Sequence, residues 1–266
     1  MTSPAATLLR ISNIEKHFGG LTALSNVSLH IQAGEIYGLI GPNGAGKTTL
    51  FNILTGLYQA DGGKFLFGDI EYNGLSKPHI LAKAGIARTF QNIRLFANMN
   101  ILENVMVGCH VRTHTGIWGA LTRHKNARIE ERQIAHLAAE LLAYVGINRA
   151  HHMLAKNLSY GEQRRLEIAR ALATNPKLLA LDEPAAGMNA TETESLKSLL
   201  QTIRQDGVTV LLIEHDVKLV MGLCDRIAVL DYGKKIAEGV PQEVRNNPAV
   251  IAAYLGTDIA VGENLA

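Results

Sequence analysis

The segment GPNGAGKT at residues 41–48 constrains the fold of this chain more than any other part of its sequence. Two glycines separated by four residues, and followed by lysine and a hydroxyl residue, form the pattern of a phosphate-binding loop. An apolar run at 36–40 precedes the loop, and a helical pattern begins at Lys47. A strand, loop and helix in this order place backbone amides and a helix N-terminus against phosphate oxygens. A purely structural glycine turn is the alternative.

The residues of this loop have separate predicted roles. Lys47 is predicted to neutralise charge on the β- and γ-phosphates of ATP, and the Thr48 hydroxyl to ligate Mg²⁺. Glycines let the main chain curl closely around the ligand because they lack a Cβ atom. The complete set of predicted ATP-binding residues in the loop is Gly41, Pro42, Asn43, Gly44, Ala45, Gly46, Lys47, Thr48 and Thr49.

Two adjacent acidic residues follow a second apolar run. Residues 177–181 have the pattern of a buried strand, and Asp182 and Glu183 come directly after it. A carboxylate at the C-terminal end of a parallel strand lies at the edge where α/β sheets bind ligands. Asp182 is therefore predicted to support Mg²⁺ through water, and Glu183 to be the base that orients the attacking water. A solvated strand end is the alternative.

Strands and helices alternate along the chain, which predicts a parallel sheet covered on both faces. Strands are predicted at 8–14, 27–31, 36–40, 64–67, 177–181 and 208–213, helices at 47–57, 161–173 and 191–205, and a helical region at 101–146. The 26 basic and 24 acidic residues give no electrostatic reason to expect a nucleic-acid partner. No apolar stretch approaches the roughly 18 residues that cross a bilayer. The first ten residues lack a basic region followed by an apolar region, so export is not expected. We therefore expect a cytoplasmic location, with any pore made by other chains.

The segment LSYGEQRR at 158–165 resembles the signature motif of ABC transporter ATPases, with Tyr160 where many members of that family have glycine. A helix that begins here would let Ser159 and the amides of Gly161 and Glu162 bind a γ-phosphate. Ser159 and Glu162 also have the spacing of a capping box, a structural alternative that is compatible with phosphate binding. The resemblance implies that Ser159, Tyr160, Gly161 and Glu162 act on the ATP of a partner subunit.

Three further positions match motifs of the same family. Phe18, in KHFGG, is similar to the aromatic residue that stacks on adenine, with core packing as the alternative. Gln91, in RTFQN, is similar to the glutamine that contacts Mg²⁺ and the nearby water. His215, in LLIEHD, is similar to the switch histidine that contacts the γ-phosphate. The implied catalytic residues are Glu183 and His215, and the implied metal-binding residues are Thr48, Gln91 and Asp182.

The resemblance implies an α/β fold: a P-loop NTPase (RecA-like) core with an N-terminal antiparallel β subdomain and an inserted α-helical subdomain. It implies one ATP-binding domain at 8–256, with the core at 8–90 and 161–256, a helical lobe at about 91–160 that includes the signature, and a tail at 257–266. Two such chains, identical or related, would enclose each ATP between the loop of one and the signature of the other. Two permease subunits and an extracytoplasmic binding protein would complete a system whose ATPase lies on the cytoplasmic side of the cell membrane.

Some features resemble the ATPase subunits of bacterial branched-chain amino acid importers, in particular the first and longer ATPase of a pair. They are the RTFQNIRLF segment, the long segment after Gly108, the AYLG sequence at 253–256, and Asn189 in place of the usual aspartate of the D-loop. The ATPase of lipopolysaccharide export is the nearest alternative. An ABC ATPase that acts on DNA or ribosomes is a third interpretation, although the chain has one cassette and no long coiled-coil or zinc-bearing insertion.

Residues 104–129 contain no acidic side chain, and three histidines and several basic residues accompany Trp118, the only tryptophan. Cations and tryptophan are favoured at membrane surfaces. This composition favours contact with a membrane subunit or lipid headgroups, with a solvated loop as the alternative. The basic residues are Arg112, Arg123, Lys125 and Arg128.

Overall fold

The computed structural model describes residues 6–72, 77–112 and 125–255, and the structural statements below refer to these residues. Trp118 and Arg123 of the basic segment lie outside the described residues, as does the predicted tail at 257–266. The hypothesis about the basic segment therefore stays a prediction.

Four strands in the N-terminal part of the chain form an antiparallel sheet. They are β1 (Thr7–Phe18), β2 (Leu21–Gln32), β4 (Gly62–Phe67) and β5 (Ile70–Tyr72), in the order β2-β1-β4-β5. The first two are longer than predicted, because their outer parts pair in a hairpin with Phe18 opposite Leu21. Both of these side chains are exposed. Hydrophobic alternation indicates only the buried part of a strand, so the predicted ends of β1 and β2 were too close together.

Six strands form the central sheet. They are β3 (Ile36–Ile40), β6 (Ile86–Arg88), β7 (Leu178–Asp182), β8 (Thr209–Ile213), β9 (Arg226–Asp231) and β10 (Lys234–Gly239), in the order β10-β9-β3-β8-β7-β6. Neighbouring strands are parallel except β10, which runs antiparallel to β9. Every residue of β3, β7 and β8 is buried. Such burial is typical of a parallel sheet covered on both faces, as predicted.

The two faces of the central sheet belong to different hydrophobic clusters. Ile36 and Ile40 of β3 pack in one cluster with apolar residues of the helices that follow β6, whereas Tyr37 and Leu39 pack in another with the first helix and the antiparallel sheet. The helices are α1 (Lys47–Leu54), α2 (Pro78–Ala84), α3 (Ile101–Cys109), α4 (Lys125–Tyr144), α5 (Tyr160–Leu172), α6 (Ala190–Gln205), α7 (Val217–Leu223), α8 (Pro241–Arg245) and α9 (Pro248–Leu255). This arrangement has the predicted fold class.

Some element boundaries differ from the prediction. α1 ends at Leu54 rather than near residue 57, because Gly56 adopts a left-handed φ of 76°. Glycine takes this conformation readily, and it ends many helices. β7 extends through Asp182, one residue beyond the predicted end. Among the helices that the structure describes, none is long and apolar enough to cross a membrane.

The carboxyl ends of three central strands lie level with one another. Leu39 of β3 is paired with Ile213 of β8, and Ile213 is paired with Asp182 of β7. The segments that follow these strands therefore emerge at the same edge of the sheet. They are the phosphate loop after β3, Glu183 after β7 and His215 after β8.

Candidate active site

The phosphate loop joins β3 to α1 through a backbone that requires glycine at two points. Gly41 has a φ of 150°, and a Cβ atom there would lie 2.1 Å from the carbonyl oxygen of Leu230. Gly46, the N-cap of α1, has a φ of 99°, and a Cβ atom there would lie 2.7 Å from the carbonyl oxygen of Ala23. Within the described residues, no side chain caps the first turn of α1. Its amides are therefore suited to an anionic ligand.

Lys47 is buried at the start of α1. Its Nζ donates hydrogen bonds to the carbonyl oxygens of Gly41, at 2.6 Å, and Pro42, at 2.9 Å. Burial lowers the pKa of Lys47, and the nearby carboxylates of Glu183 and Asp182 oppose that shift. The ammonium group thus lies close to both the loop and the acidic pair. Of the other predicted loop residues, Asn43, Gly44 and Thr48 are exposed, Thr49 is partly buried, and Pro42 and Ala45 are buried.

Both carboxylate oxygens of Glu183 contact predicted site residues. Oε1 lies 2.7 Å from Nε2 of His215, and Oε2 accepts a hydrogen bond from Nε2 of Gln91 at 3.0 Å. Glu183 has a φ of 48°, which is uncommon for a residue with a side chain. Its amide donates to the carbonyl oxygen of Ile213 at 2.9 Å. The structure therefore brings Gln91, Glu183 and His215 together from three separate parts of the sequence.

Asp182 is buried next to this cluster, and one of its oxygens has no protein partner. Within the described residues, Oδ1 makes no hydrogen bond. Burial raises the pKa of Asp182, and the charge of Glu183 raises it further. A buried carboxylate with an unsatisfied oxygen fits a cation ligand. The Thr48 hydroxyl and the side-chain amide oxygen of Gln91 are, like this carboxylate, oxygen donors of the type that Mg²⁺ prefers.

Phe18 lies at the end of β1 with 43% of its surface exposed, so it is not part of the core. Its ring meets the ring of Tyr58 edge-on, with 5.4 Å between the centroids. Lys16 Nζ lies 5.3 Å from the Phe18 centroid and bonds to Asp61 at 2.8 Å. An accessible ring held by its neighbours is suited to stacking on a planar base.

The predicted signature lies at the start of α5. Ser159 Oγ accepts a hydrogen bond from the amide of Glu162 at 3.3 Å, and Glu162 Oε2 accepts from the amide of Ser159 at 3.0 Å. The predicted capping box is therefore confirmed. Ser159 and Tyr160 are exposed, whereas Gly161 is buried. These two capping bonds join Ser159 and Glu162 to each other and involve no residue of the cluster around Glu183.

Asn189, which replaces the usual aspartate, is the N-cap of α6. Its Oδ1 accepts a hydrogen bond from the amide of Glu192 at 3.0 Å, and Glu192 Oε2 accepts from the amide of Asn189 at 3.0 Å. Aspartate accepts the same bond, so this departure from the family pattern keeps the cap and removes a negative charge.

Arg164 and Glu167 form a buried ion pair that the sequence patterns did not predict. Arg164 Nη1 lies 2.9 Å from Glu167 Oε2, and both side chains are at most 1% exposed. Arg164 also donates to the carbonyl oxygens of Phe90, at 2.6 Å, and Gln91, at 2.8 Å. The spacing of opposite charges at i and i+3 was the available sequence signal.

The phosphate loop follows the central strand β3, and an acidic pair lies two strands away at the same edge of the sheet. This arrangement places the protein among the P-loop nucleotide-binding proteins. Within that class, the chain belongs to the ABC transporter family of ATP-binding proteins, whose profile matches residues 24–186, more than half of the chain. A second profile, for branched-chain amino acid ATP-binding cassette transporters, matches residues 234–260. The family resemblance and the ATPase class are thereby confirmed.

The chain is similar over almost its whole length to curated transport proteins. It is 47% identical over 250 residues to LivG of Escherichia coli K12, a high-affinity branched-chain amino acid transport ATP-binding protein, with 94% of this chain and 98% of LivG covered. It is 46% identical to BraF of Pseudomonas aeruginosa, with the same coverage. Identity to LptB of Haemophilus influenzae, a lipopolysaccharide export ATP-binding protein, is 36% with the same coverage. The predicted resemblance to branched-chain amino acid transport ATPases is confirmed, and LptB is less similar to this chain than these two proteins are.

Solved structures of ATP-binding cassettes have the same fold. The ADP conformation of a cassette from an ABC transporter matches with a TM-score of 0.82 and 33% identity, covering 94% of this chain and 99% of that one. A dimeric cassette in a post-hydrolysis state, bound to ADP and phosphate, matches with a TM-score of 0.74 and 27% identity, covering 88% and 98%. These matches confirm the predicted ABC ATPase fold.

Proposed function

We propose that this chain hydrolyses MgATP to power the uptake of branched-chain amino acids through partner permease subunits. The observation that carries the ATPase part is the cluster at Glu183, whose two oxygens contact His215 and Gln91 at 2.7 and 3.0 Å. Lys47 and the phosphate loop lie at the same edge of the sheet. The relatives named above support the transport part.

ATP would bind with its adenine on Phe18 and its phosphates along the loop from Gly41 to Thr49. Lys47 would leave its present carbonyl partners for the β- and γ-phosphates, because a phosphate oxygen is a stronger acceptor for an ammonium group than a neutral carbonyl. Thr48, Gln91 and Asp182 would hold Mg²⁺, with Asp182 acting through water. When bound, Mg²⁺ neutralises charge on the β- and γ-phosphate oxygens.

Hydrolysis would follow from the position of Glu183. Its carboxylate would accept a hydrogen bond from a water molecule and direct the lone pair of that water at the γ-phosphorus. As the water oxygen bonds to the γ-phosphorus, the bond between the γ-phosphorus and the β-γ bridging oxygen would break, and its electron pair would leave with ADP. The proton that the water loses would pass through Glu183 to the phosphate product. Gln91 and His215 hold the carboxylate from both sides, and His215 would contact the γ-phosphate. A water molecule that is already held in line with the γ-phosphorus loses less orientational freedom in the transition state, which lowers the barrier to attack.

A second cassette, identical or related, would complete each ATP site. Ser159, Tyr160, Gly161 and Glu162 lie at a helix N-terminus, where the macrodipole favours an anion such as the γ-phosphate bound by the partner. The dimeric relative in a post-hydrolysis state supports such pairing. We further propose that residues 8–256 form one domain with a helical lobe at about 91–160. Two permeases and an extracytoplasmic binding protein would complete the system, with this chain on the cytoplasmic side of the membrane.

The proposed substrate class rests on similarity. LivG and BraF are named for high-affinity branched-chain amino acid transport, and the profile at residues 234–260 bears the same substrate name. The lower identity to LptB makes lipopolysaccharide export the weaker alternative.

This proposal is tested by purification and by uptake. The tagged chain should purify from membranes with integral membrane proteins and without nucleic acid or ribosomes. Cells that lack the chain should lose accumulation of radiolabelled leucine, and the wild-type gene should restore it while Glu183→Gln should not. The matched control is Glu194→Gln, since Glu194 is an exposed residue of α6. Normal leucine accumulation without the chain, or a defect confined to lipopolysaccharide, would contradict the proposal.

A further inference from the structure

Tyr160 occupies the second position of the signature, and its ring packs against the segment between Glu183 and α6. A Cβ atom added to Gly187 would lie 3.4 Å from a carbon of the Tyr160 ring. Gly187 has a left-handed φ of 76°. The side chain of Tyr160 is nevertheless 46% exposed, so one part of it packs on its own chain while another part faces outward.

The hydroxyl of Tyr160 reaches the buried guanidinium of Arg164. Arg164 Nη2 donates to Tyr160 Oη at 3.4 Å and to the carbonyl oxygen of Gln91 at 2.8 Å. Nη1 donates to the carbonyl oxygen of Phe90 at 2.6 Å and to Glu167 Oε2 at 2.9 Å. The guanidinium group is planar and its donors have fixed directions. A shift of Arg164 would therefore move Gln91 or break charge-assisted bonds in a buried position.

Gln91 continues this connection to the proposed catalytic residue. Its carbonyl oxygen is held by Arg164, and its side-chain Nε2 donates to Glu183 Oε2 at 3.0 Å. A continuous path of contacts thus runs from Tyr160 through Arg164 and Gln91 to Glu183. It passes through side chains and through the peptide unit of Gln91. The path joins the exposed start of α5 to the carboxylate of the same chain.

We propose that Tyr160 and Arg164 are positioning residues. Through contacts inside one chain, they would link the ATP site of the partner cassette to the chain's own ATP site. A nucleoside triphosphate that is bound by the partner and contacts Ser159–Glu162 would displace the side chain of Tyr160. Arg164 would transmit this displacement to Gln91 and so set the orientation of the Glu183 carboxylate in the chain's own site. The inference rests on the proposed function, because it requires that partner ATP meets the signature.

The hydroxyl can be removed without removing the ring. Tyr160→Phe keeps the packing on Gly187 and deletes only the acceptor for Arg164. In the complex purified with its membrane subunits, we expect kcat for ATP hydrolysis to fall about 2- to 10-fold, the range for loss of one hydrogen bond, and KM for ATP to change less than about twofold. The matched control is Tyr144→Phe, which deletes a hydroxyl bonded to Asp206 at 2.6 Å on the helical lobe and should leave kcat unchanged.

A double-mutant cycle with Gln91→Ala tests the path itself. Gln91→Ala removes the contact with Glu183, so Tyr160→Phe should have no further effect on kcat in that background. Equal fold-decreases in both backgrounds would overturn the inference, because Tyr160 would then act without Gln91. A change in KM alone would overturn it as well. Absence of phosphate release from the wild-type complex would instead overturn the proposed function, which separates the two failures.

Discussion

Nε2 of His215 lies 2.7 Å from Oε1 of Glu183, although 32 positions separate the two residues in the sequence. They meet because β7 and β8 are adjacent parallel strands whose ends are level, with Asp182 paired to Ile213. Each residue follows the end of its strand, so the two side chains emerge side by side. This contact couples the strand that supplies the proposed catalytic carboxylate to the strand that supplies the proposed γ-phosphate contact.

Glu183→Gln should abolish most turnover while nucleotide binding persists. The amide has nearly the shape of the carboxylate and can still bond to His215, but it is a poor base for the attacking water. We expect kcat to fall by at least about 100-fold, the lower end of general base contributions. ATP should remain bound in a trapped pair of cassettes, detectable by size-exclusion chromatography with labelled nucleotide. Turnover at the wild-type rate would show that Glu183 is not the base.

Lys47→Ala should act on nucleotide affinity. The ammonium is buried at the loop and would make charge-assisted bonds to phosphate, so its loss should weaken MgATP binding about 10- to 100-fold. Isothermal titration calorimetry measures this directly. Lys64→Ala is the control, because Lys64 is exposed and its nearest anionic partner, Glu71, lies 3.9 Å away. Equal affinities for Lys47→Ala and the wild type would contradict the assignment.

Asp182→Asn should stabilise the fold at neutral pH while it lowers Mg²⁺-dependent turnover. Burial raises the pKa of Asp182 above its ordinary value of 3.8, so the folded protein holds this proton to a higher pH than the unfolded chain. The carboxylate therefore lowers the free energy of unfolding above the folded pKa, and this cost disappears below the unfolded pKa.

Urea unfolding across the pH range measures this effect. The midpoint of Asp182→Asn should exceed that of the wild type at pH 7, and the difference should shrink as the pH falls towards about 4. A difference of constant size across that range would assign the gain in stability to packing rather than to the charge.

Asn189 should respond differently to two substitutions. Asn189→Ala removes the side-chain oxygen that accepts from Glu192, and loss of such a cap lowers the free energy of unfolding by about 1 kcal/mol. Asn189→Asp keeps the acceptor at a helix N-terminus, where negative charge is favourable, so its stability should be at least that of the wild type. Thermal unfolding followed by circular dichroism checks both. A destabilised Asn189→Asp protein would contradict the capping account.

The parts of the fold that were predictable from the sequence depend on local signals. The phosphate loop lies between a continuous apolar strand and a helix, and the capping boxes at Ser159 and Asn189 are set by residues three positions apart. The contact of Arg164 with Gln91 joins residues 73 positions apart, and a fully buried arginine runs against the usual preference of this residue for the surface. The left-handed φ of Glu183 was likewise not predictable, because nothing in the residue type indicates it.

Coupled ATP hydrolysis and amino acid uptake in proteoliposomes tests the central claim most directly. Vesicles would contain the wild-type chain or Glu183→Gln with the membrane proteins that purify with it, with MgATP on the side of the cassette and labelled leucine, together with any binding protein, on the other. We predict that the wild-type complex releases phosphate and accumulates leucine, and that Glu183→Gln loses both together. Leucine accumulation at the wild-type rate with Glu183→Gln, or no phosphate release from the wild-type complex, would contradict the account.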